Sequence, residues 1–160
     1  MFLGKRLSKE EALKKIKNYC NYQERSHKEV KEKLYTFGLF KADVDEIIAN
    51  LIEDNYLNEE RFARLFAGGK FRMKQWGRKK IQYELQQKGV NKLNIKLGLK
   101  EISDEQYLAV LQKLAERKWK ELSGQQHLVR QSKTNAYLLQ KGYEQHLISG
   151  IINQLVKPQP

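Results

Sequence analysis

YLNEERFARLFAGGKFRMKQWGRKKIQYELQQKGV, residues 56–90, is the stretch whose pattern decides the fold. Asn58 is a good N-cap, and Leu57 can staple onto Phe62 across the first helical turn. Phe62, Leu65, Phe66, Gly69, Met73 and Trp76 then follow one helical face. Gly77 breaks the run. Ile81 and Leu85 mark the buried stripe of a second helix, and Gly89 is its expected left-handed terminator. From position 64 onward the stretch holds eight Lys or Arg against one acid, Glu84.

The same unit recurs on both sides. Upstream, Ser8 with Glu11 and Ser26 with Glu29 form capping boxes. Ala12, Leu13, Ile16, Tyr19 and Cys20, then Val30, Leu34 and Phe37, then Val44, Ile47, Ile48 and Leu51 recur at helical spacing. Downstream, Ser103 with Gln106 forms a further box, and Ile102 can staple onto Tyr107. Anchoring each copy on Gly38, Gly89 or Gly142 brings them into phase. Leu34, Leu85 or Leu138 stands four residues before the glycine, and Val44, Ile95 or Ile148 six after it. Ile48, Leu99 or Ile152 and then Leu51, Ile102 or Leu155 follow. The anchors are 51 and 53 residues apart. The third copy is the least regular, because its second helix lacks a clean cap.

Units this small gain stability by stacking on neighbours. The expected fold is therefore all-α: three tandem three-helix repeats, about nine helices, in an elongated, curved array. The repeats span residues 1–56, 57–101 and 102–156, and 157–160 is expected to be a disordered tail. Only two prolines occur, both in the last three residues, so nothing interrupts the helical stretches.

The net charge of +12 implies affinity for a polyanion or an acidic protein surface. One cysteine, Cys20, excludes an internal disulfide and points to a reducing compartment. The stretch MFLGKRLSKEEAL has no apolar run long enough for a secretory signal, and no segment approaches the about 18 apolar residues of a membrane span. A cytoplasmic protein with no membrane contact is expected.

Enzyme signatures are missing: no phosphate loop, no Gly-x-Gly-x-x-Gly, no His-Glu-x-x-His. His27, His127 and His146 are dispersed and lack ligand spacing, so no metal or other cofactor is expected. Glu10-Glu11 and Glu59-Glu60 fall in first helical turns, where they complement the helix dipole. The basic run is different. Lys70, Arg72, Lys74, Arg78, Lys79 and Lys80 have only one acid among them at helical spacing, Glu84 four residues after Lys80. Arg78, Lys79 and Lys80 stand at a helix start, where outward-pointing amides favour anions. Gly77 would let a phosphate or acidic side chain approach the backbone. Trp76 and Phe71 could stack on bases, although Trp76 also reads as the last core residue of its stripe. Lys113, Arg117, Lys118, Lys120, Arg130 and Lys133 form a weaker second cluster, and Lys5, Arg6, Lys14, Lys15 and Lys17 a third.

Several of these residues carry a resemblance. Tyr56-Leu57-Asn58-Glu59-Glu60-Arg61-Phe62-Ala63, then Gly77-Arg78-Lys79-Lys80-Ile81 and Glu84-Leu85-Gln86-Gln87-Lys88-Gly89-Val90, resemble the core signature of the bacterial RecX family. Arg25-Ser26 and Glu29-Val30 with Leu34 resemble an earlier block of that family. The likeness covers about residues 8–155 and is sharpest in the middle copy. Asn58-Glu59 stands where the family usually has an Asp pair; Asn still caps.

The resemblance implies tandem three-helix repeats and a non-enzymatic modulator of the RecA recombinase, acting in DNA repair, recombination and the SOS response. Such proteins bind in the groove of the RecA filament on single-stranded DNA. They inhibit its ATPase, strand exchange and filament growth. They also bind DNA, with double-stranded DNA a second candidate beside single strands. The expected contacts are Lys70, Arg72, Lys74, Arg78, Lys79 and Lys80, joined by Arg25 and Lys28. The alternative is a helix-turn-helix-type DNA-binding repressor, since three-helix units also build those domains. A repressor would usually dimerise; no heptad seam is evident, and a monomer is expected.

Overall fold

In the computed structural model, which describes residues 4–157, Ser8, Ser26 and Ser103 each accept a hydrogen bond at 3.1 Å from the amide three residues on. Asn58 Oδ1 accepts from the Arg61 amide at 2.9 Å. These caps satisfy amides that a helix start leaves without an intrahelical partner. Gly38, Gly89 and Gly142 adopt φ of 84°, 77° and 102°, the left-handed terminators expected from the repeat.

The described residues form nine α-helices and no strand. They are α1 (Lys9–Tyr22), α2 (His27–Thr36), α3 (Lys41–Glu53), α4 (Glu59–Lys74), α5 (Arg78–Gln87), α6 (Lys92–Leu99), α7 (Asp104–Glu121), α8 (His127–Lys141) and α9 (Gln145–Val156). Helix α8 begins without a side-chain cap, as its sequence foretold. Of the expected tail, Lys157 is extended, and Pro158, Gln159 and Pro160 lie outside the described residues.

The chain divides into two compact units, Met1–Phe66 with Leu85–Gly98, and Ala67–Glu84 with Leu99–Pro160. In the first, Ala12, Ile16, Val30, Leu34, Val44, Ile47 and Leu51 are fully buried, with Phe37, Ile48 and Tyr56 packed around them. Fully burying a side chain of this size contributes about 1.5–3 kcal/mol relative to leaving it in water. In the second unit the buried set includes Phe71, Ile81, Tyr107, Leu111, Leu114, Leu138, Tyr143 and Ile148.

Helix α4 departs from expectation. Its buried residues are Phe62, Ala63, Ala67 and Phe71, while Leu65 and Met73 are 53% and 83% exposed. The buried face is turned by roughly a third of a turn from the one marked by large apolar residues. Small residues explain the shift. A Cβ on Gly98 of α6 would stand 2.7 Å from the Ala63 carbonyl oxygen, so α6 meets α4 backbone to backbone. A larger side chain at Ala63 would hold the two helices apart.

Candidate functional site

The basic run lies at the α4–α5 corner, in the second unit. Helix α4 ends when Gln75 turns left-handed, with φ of 58°. Gln75 N–H donates to the Phe71 carbonyl at 3.0 Å, and Trp76 N–H to the Lys70 carbonyl at 3.4 Å. The break therefore falls at Gln75, two residues before Gly77. For a residue with a Cβ that conformation costs about 1–2 kcal/mol, and contacts from the end of α8 and the turn after it hold it. Tyr143 Oη donates to the Gln75 carbonyl at 2.9 Å, and Lys141 Nζ to the Lys74 carbonyl at 3.0 Å.

Gly77 serves a close approach of a different kind from the one expected. A Cβ here would stand 2.3 Å from both C and O of Gly142. The neighbour that needs the missing side chain is the backbone ending α8, and no room remains there for a phosphate. The amides at the start of α5 are taken as well. Gly77 N–H donates to the Lys141 carbonyl at 2.8 Å, and Lys79 N–H to the Gly142 carbonyl at 2.9 Å. Arg78 N–H donates to Tyr107 Oη at 2.9 Å. The carbonyl end of α8 thus caps the amide end of α5, and the dipoles of the two ends attract. The expectation that these amides face an anionic ligand is corrected: they are hydrogen-bonded within the protein.

Arg78 extends this junction. Its guanidinium reaches the Ile102 carbonyl at 3.1 Å and Asp104 Oδ1 at 2.7 Å, and lies 4.1 Å from the Tyr107 ring centre. Tyr107 is fully buried and donates from Oη to Glu144; its ring lies 5.0 Å from that of Tyr143 and 5.9 Å from that of Phe71. Burial, and next the Glu144 carboxylate, push the Tyr107 phenol well above its ordinary pKa. Burial does the same for Tyr143. Both remain neutral donors. Phe71 is buried at 5% exposure beneath them, so it is not available to stack on a base.

Trp76 is half-buried rather than a core residue. Lys70 Nζ lies 5.1 Å and Lys80 Nζ 4.6 Å from the centre of its ring, within cation–π range. Arg72, Lys74 and Lys79 are exposed. Lys141 joins them, 67 residues from Lys74 in sequence and bonded to its carbonyl. Among the described residues no carboxylate pairs with Lys74, Lys79, Lys80 or Lys141. Sequence spacing could not have placed Lys141 here, because only the fold of α8 onto the corner does so.

Arg25 and Lys28 belong to the first unit. Arg25 Nε donates to the Tyr19 carbonyl at 3.1 Å, and its guanidinium covers the Tyr19 ring at 3.7 Å. Lys28 Nζ donates to the Gln87 carbonyl at 3.0 Å, where a cation complements the end of α5. Lys88 pairs with Glu29 at 3.1 Å.

Arg61 had no role in the sequence reading. It pairs with Glu24 and donates to Asn55 Oδ1 at 3.2 Å and to the Asn55 carbonyl at 3.0 Å. A groove of about 490 Å³ beside it is lined by Cys20, Asn21, Gln23 and Asp54 among others. In the second cluster, Arg130 lies 3.9 Å from the Trp119 ring centre and Lys118 pairs with Glu121.

Residues 58–99 match the second three-helix domain of RecX, and residues 104–152 match the third. The chain belongs to the RecX family. RecX regulatory proteins similar to it include that of Oceanobacillus iheyensis, 29% identical over 138 residues, covering 86% of this chain and 51% of the relative. That of Lactobacillus johnsonii is 31% identical over 144 residues, covering 90% and 53%. The chain spans about half the length of the curated RecX relatives it matches. The crystal structure of RecX from Lactobacillus salivarius superposes with a TM-score of 0.84 at 26% identity, covering 92% of this chain and 96% of that one. A second RecX crystal structure, 21% identical with a TM-score of 0.82, covers 91% and 71% and shares the fold. The all-α RecX fold agrees with the repeat read from the glycine anchors. No helix among the described residues is long and apolar enough to cross a membrane.

Proposed function

We propose that this chain is a non-enzymatic regulator that binds RecA filaments on single-stranded DNA and inhibits ATP hydrolysis, strand exchange and filament growth. It acts as a cytoplasmic monomer built of three repeats, 1–56, 57–101 and 102–156. Membership of the RecX family is the observation that carries this reading. The α4–α5 corner supports it, because lysines without carboxylate partners stand ready for an anionic filament.

Contacts with the filament fall to Lys70, Arg72, Lys74, Lys79 and Lys80, with Arg78 holding the corner in shape. Arg25 and Lys28 supply contacts from the first unit. The test is to add the purified chain to RecA, ATP and single-stranded DNA. Hydrolysis should fall and filaments should shorten. Unchanged hydrolysis and filament length at excess protein would refute the proposal.

A further inference from the structure

Away from the lysine corner, rings and cations alternate across one surface of the first unit. From cation to ring centre, Arg25 lies 6.0 Å from Tyr22 and 3.7 Å from Tyr19. Lys33 lies 5.5 Å from the same Tyr19 ring and 5.9 Å from Phe37. The Phe37 carbonyl accepts from the Leu7 amide at 3.0 Å, and the neighbouring Arg6 lies 4.6 Å from the Phe40 ring centre. The row thus runs from the end of α1, over α2, to the start of α3. Its end rings are open to water, Tyr22 at 83% and Phe40 at 66% exposure.

The cations of this row are held but not neutralised. Arg25 Nε donates to the Tyr19 carbonyl, which leaves the Nη groups without a partner among the described residues. The adjacent Glu24 is taken by Arg61. No carboxylate among the described residues pairs with Arg6, Arg25 or Lys33. A guanidinium fixed in this way is a ready fork for a carboxylate and loses little freedom on binding one.

The charge balance decides which anion fits. Residues 1–66 hold thirteen Lys or Arg against twelve Asp or Glu, whereas residues 67–160 hold eighteen against seven. A nucleic-acid strand needs an unbroken basic field, and the first unit has none. The Tyr19 face under the guanidinium is also closed to a base. Exposed aromatic rings beside arginine are instead the residues that anchor protein partners. Arg25 and Lys33 share the Tyr19 ring, so carboxylates two residues apart on an extended chain, about 7 Å, reach both. We propose that this surface docks an acidic peptide segment of a protein partner. Its carboxylates lie on Arg25 and Lys33, and an apolar side chain covers Tyr22. The surface is a property of the first unit alone and does not depend on the filament reading.

The test omits RecA, so its failure leaves the inhibition assay standing. The probe is a seven-residue peptide with blocked ends. Aspartate stands at its third and fifth positions, phenylalanine at its first and seventh, and serine between. Titrated into the nitrogen-15-labelled chain, it should shift the amides of residues 19–25 and 33–40. Replacing its aspartates by asparagine should weaken binding roughly ten-fold, as should Arg25→Gln in the protein. Arg25→Lys keeps the charge without the fork and should weaken it several-fold. Tyr22→Ala, at an exposed ring, should also weaken it several-fold, and Lys79→Gln should not change it. Shifts centred on residues 70–80, equal binding of the asparagine peptide, or unaltered binding by both Arg25→Gln and Tyr22→Ala would each overturn the proposal. So would oligothymidine that moves residues 19–25 and 33–40 ahead of residues 70–80, which would assign the row to a nucleic-acid strand. Should Arg25→Gln fail to fold, Tyr22→Ala and the shift map decide.

Discussion

Gly77 and Gly142 face each other backbone to backbone: a Cβ on Gly77 would lie 2.3 Å from the Gly142 carbonyl oxygen. That contact lets the end of α8 reach the amides at the start of α5, and it converts an apparent anion site into a helix-to-helix joint.

Gly77→Ala should therefore destabilise the protein by about 3 kcal/mol or more, since neither backbone can give way without breaking the bonds at Gly77 and Lys79. Gly69→Ala is the matched comparison. A Cβ there meets nothing within 4 Å, so replacing a helix-interior glycine should stabilise by up to about 1 kcal/mol. Urea unfolding of both variants checks the pair, and equal midpoints would contradict the joint.

Arg78 and Lys79 are neighbours with different work. Arg78→Ala removes contacts to Ile102, Asp104 and the Tyr107 ring, and should cost about 1–2 kcal/mol. The Asp104 ion pair adds little to this, as that carboxylate is 89% exposed. Lys79→Ala should leave the unfolding midpoint within about 0.5 kcal/mol of the parent, yet reduce both oligothymidine binding and RecA inhibition. Thermal unfolding and binding measured on the same two variants separate the roles.

Stability should fall at alkaline pH. Tyr107 and Tyr143 have folded-state pKa values raised above the ordinary 10.0, mainly by burial. The unfolded phenols release protons first, so the native state binds more protons above about pH 10. Their contribution is complete below that pH and is lost as pH climbs toward the folded values. The slope of unfolding free energy against pH, measured between about pH 9 and 11.5, should be shallower in Tyr143→Phe.

Cys20 should be slow to react. Its thiol is buried, and burial pushes its pKa up to about 11. Little thiolate exists at neutral pH, and reagents must wait for local opening. Labelling by a disulfide reagent should be slow in buffer and accelerate as denaturant opens the first unit. Immediate labelling of the folded protein would contradict the burial.

Much of the fold was legible because its signals are local. A capping hydroxyl acts three residues away, and a left-handed glycine closes its own helix. Ser8, Ser26, Asn58 and Ser103 and the anchors Gly38, Gly89 and Gly142 behave as their neighbours dictate. The α4 face was misread because large apolar residues draw the eye. Ala63, Ala67 and Gly98 bury the face instead, through close packing that a hydrophobic pattern weights lightly.

The basic run at 70–80 was visible as charge, and its division of labour was not. Whether an amide at the start of α5 meets a ligand or a carbonyl depends on where α8 ends in space. Lys141 reaches Lys74 across 67 residues, and Tyr107 bridges Arg78 to Glu144. The sequence by itself determined the all-α repeat, the capped starts and glycine ends of its helices and the sign of its surface, because each follows from interactions within a few residues. Only the tertiary structure decided that Phe71 is core, that Gly77 faces Gly142, and that Trp76 and Lys141 share a corner. Those outcomes are set by which distant backbones can come within contact distance, and that depends on the packing of the whole unit.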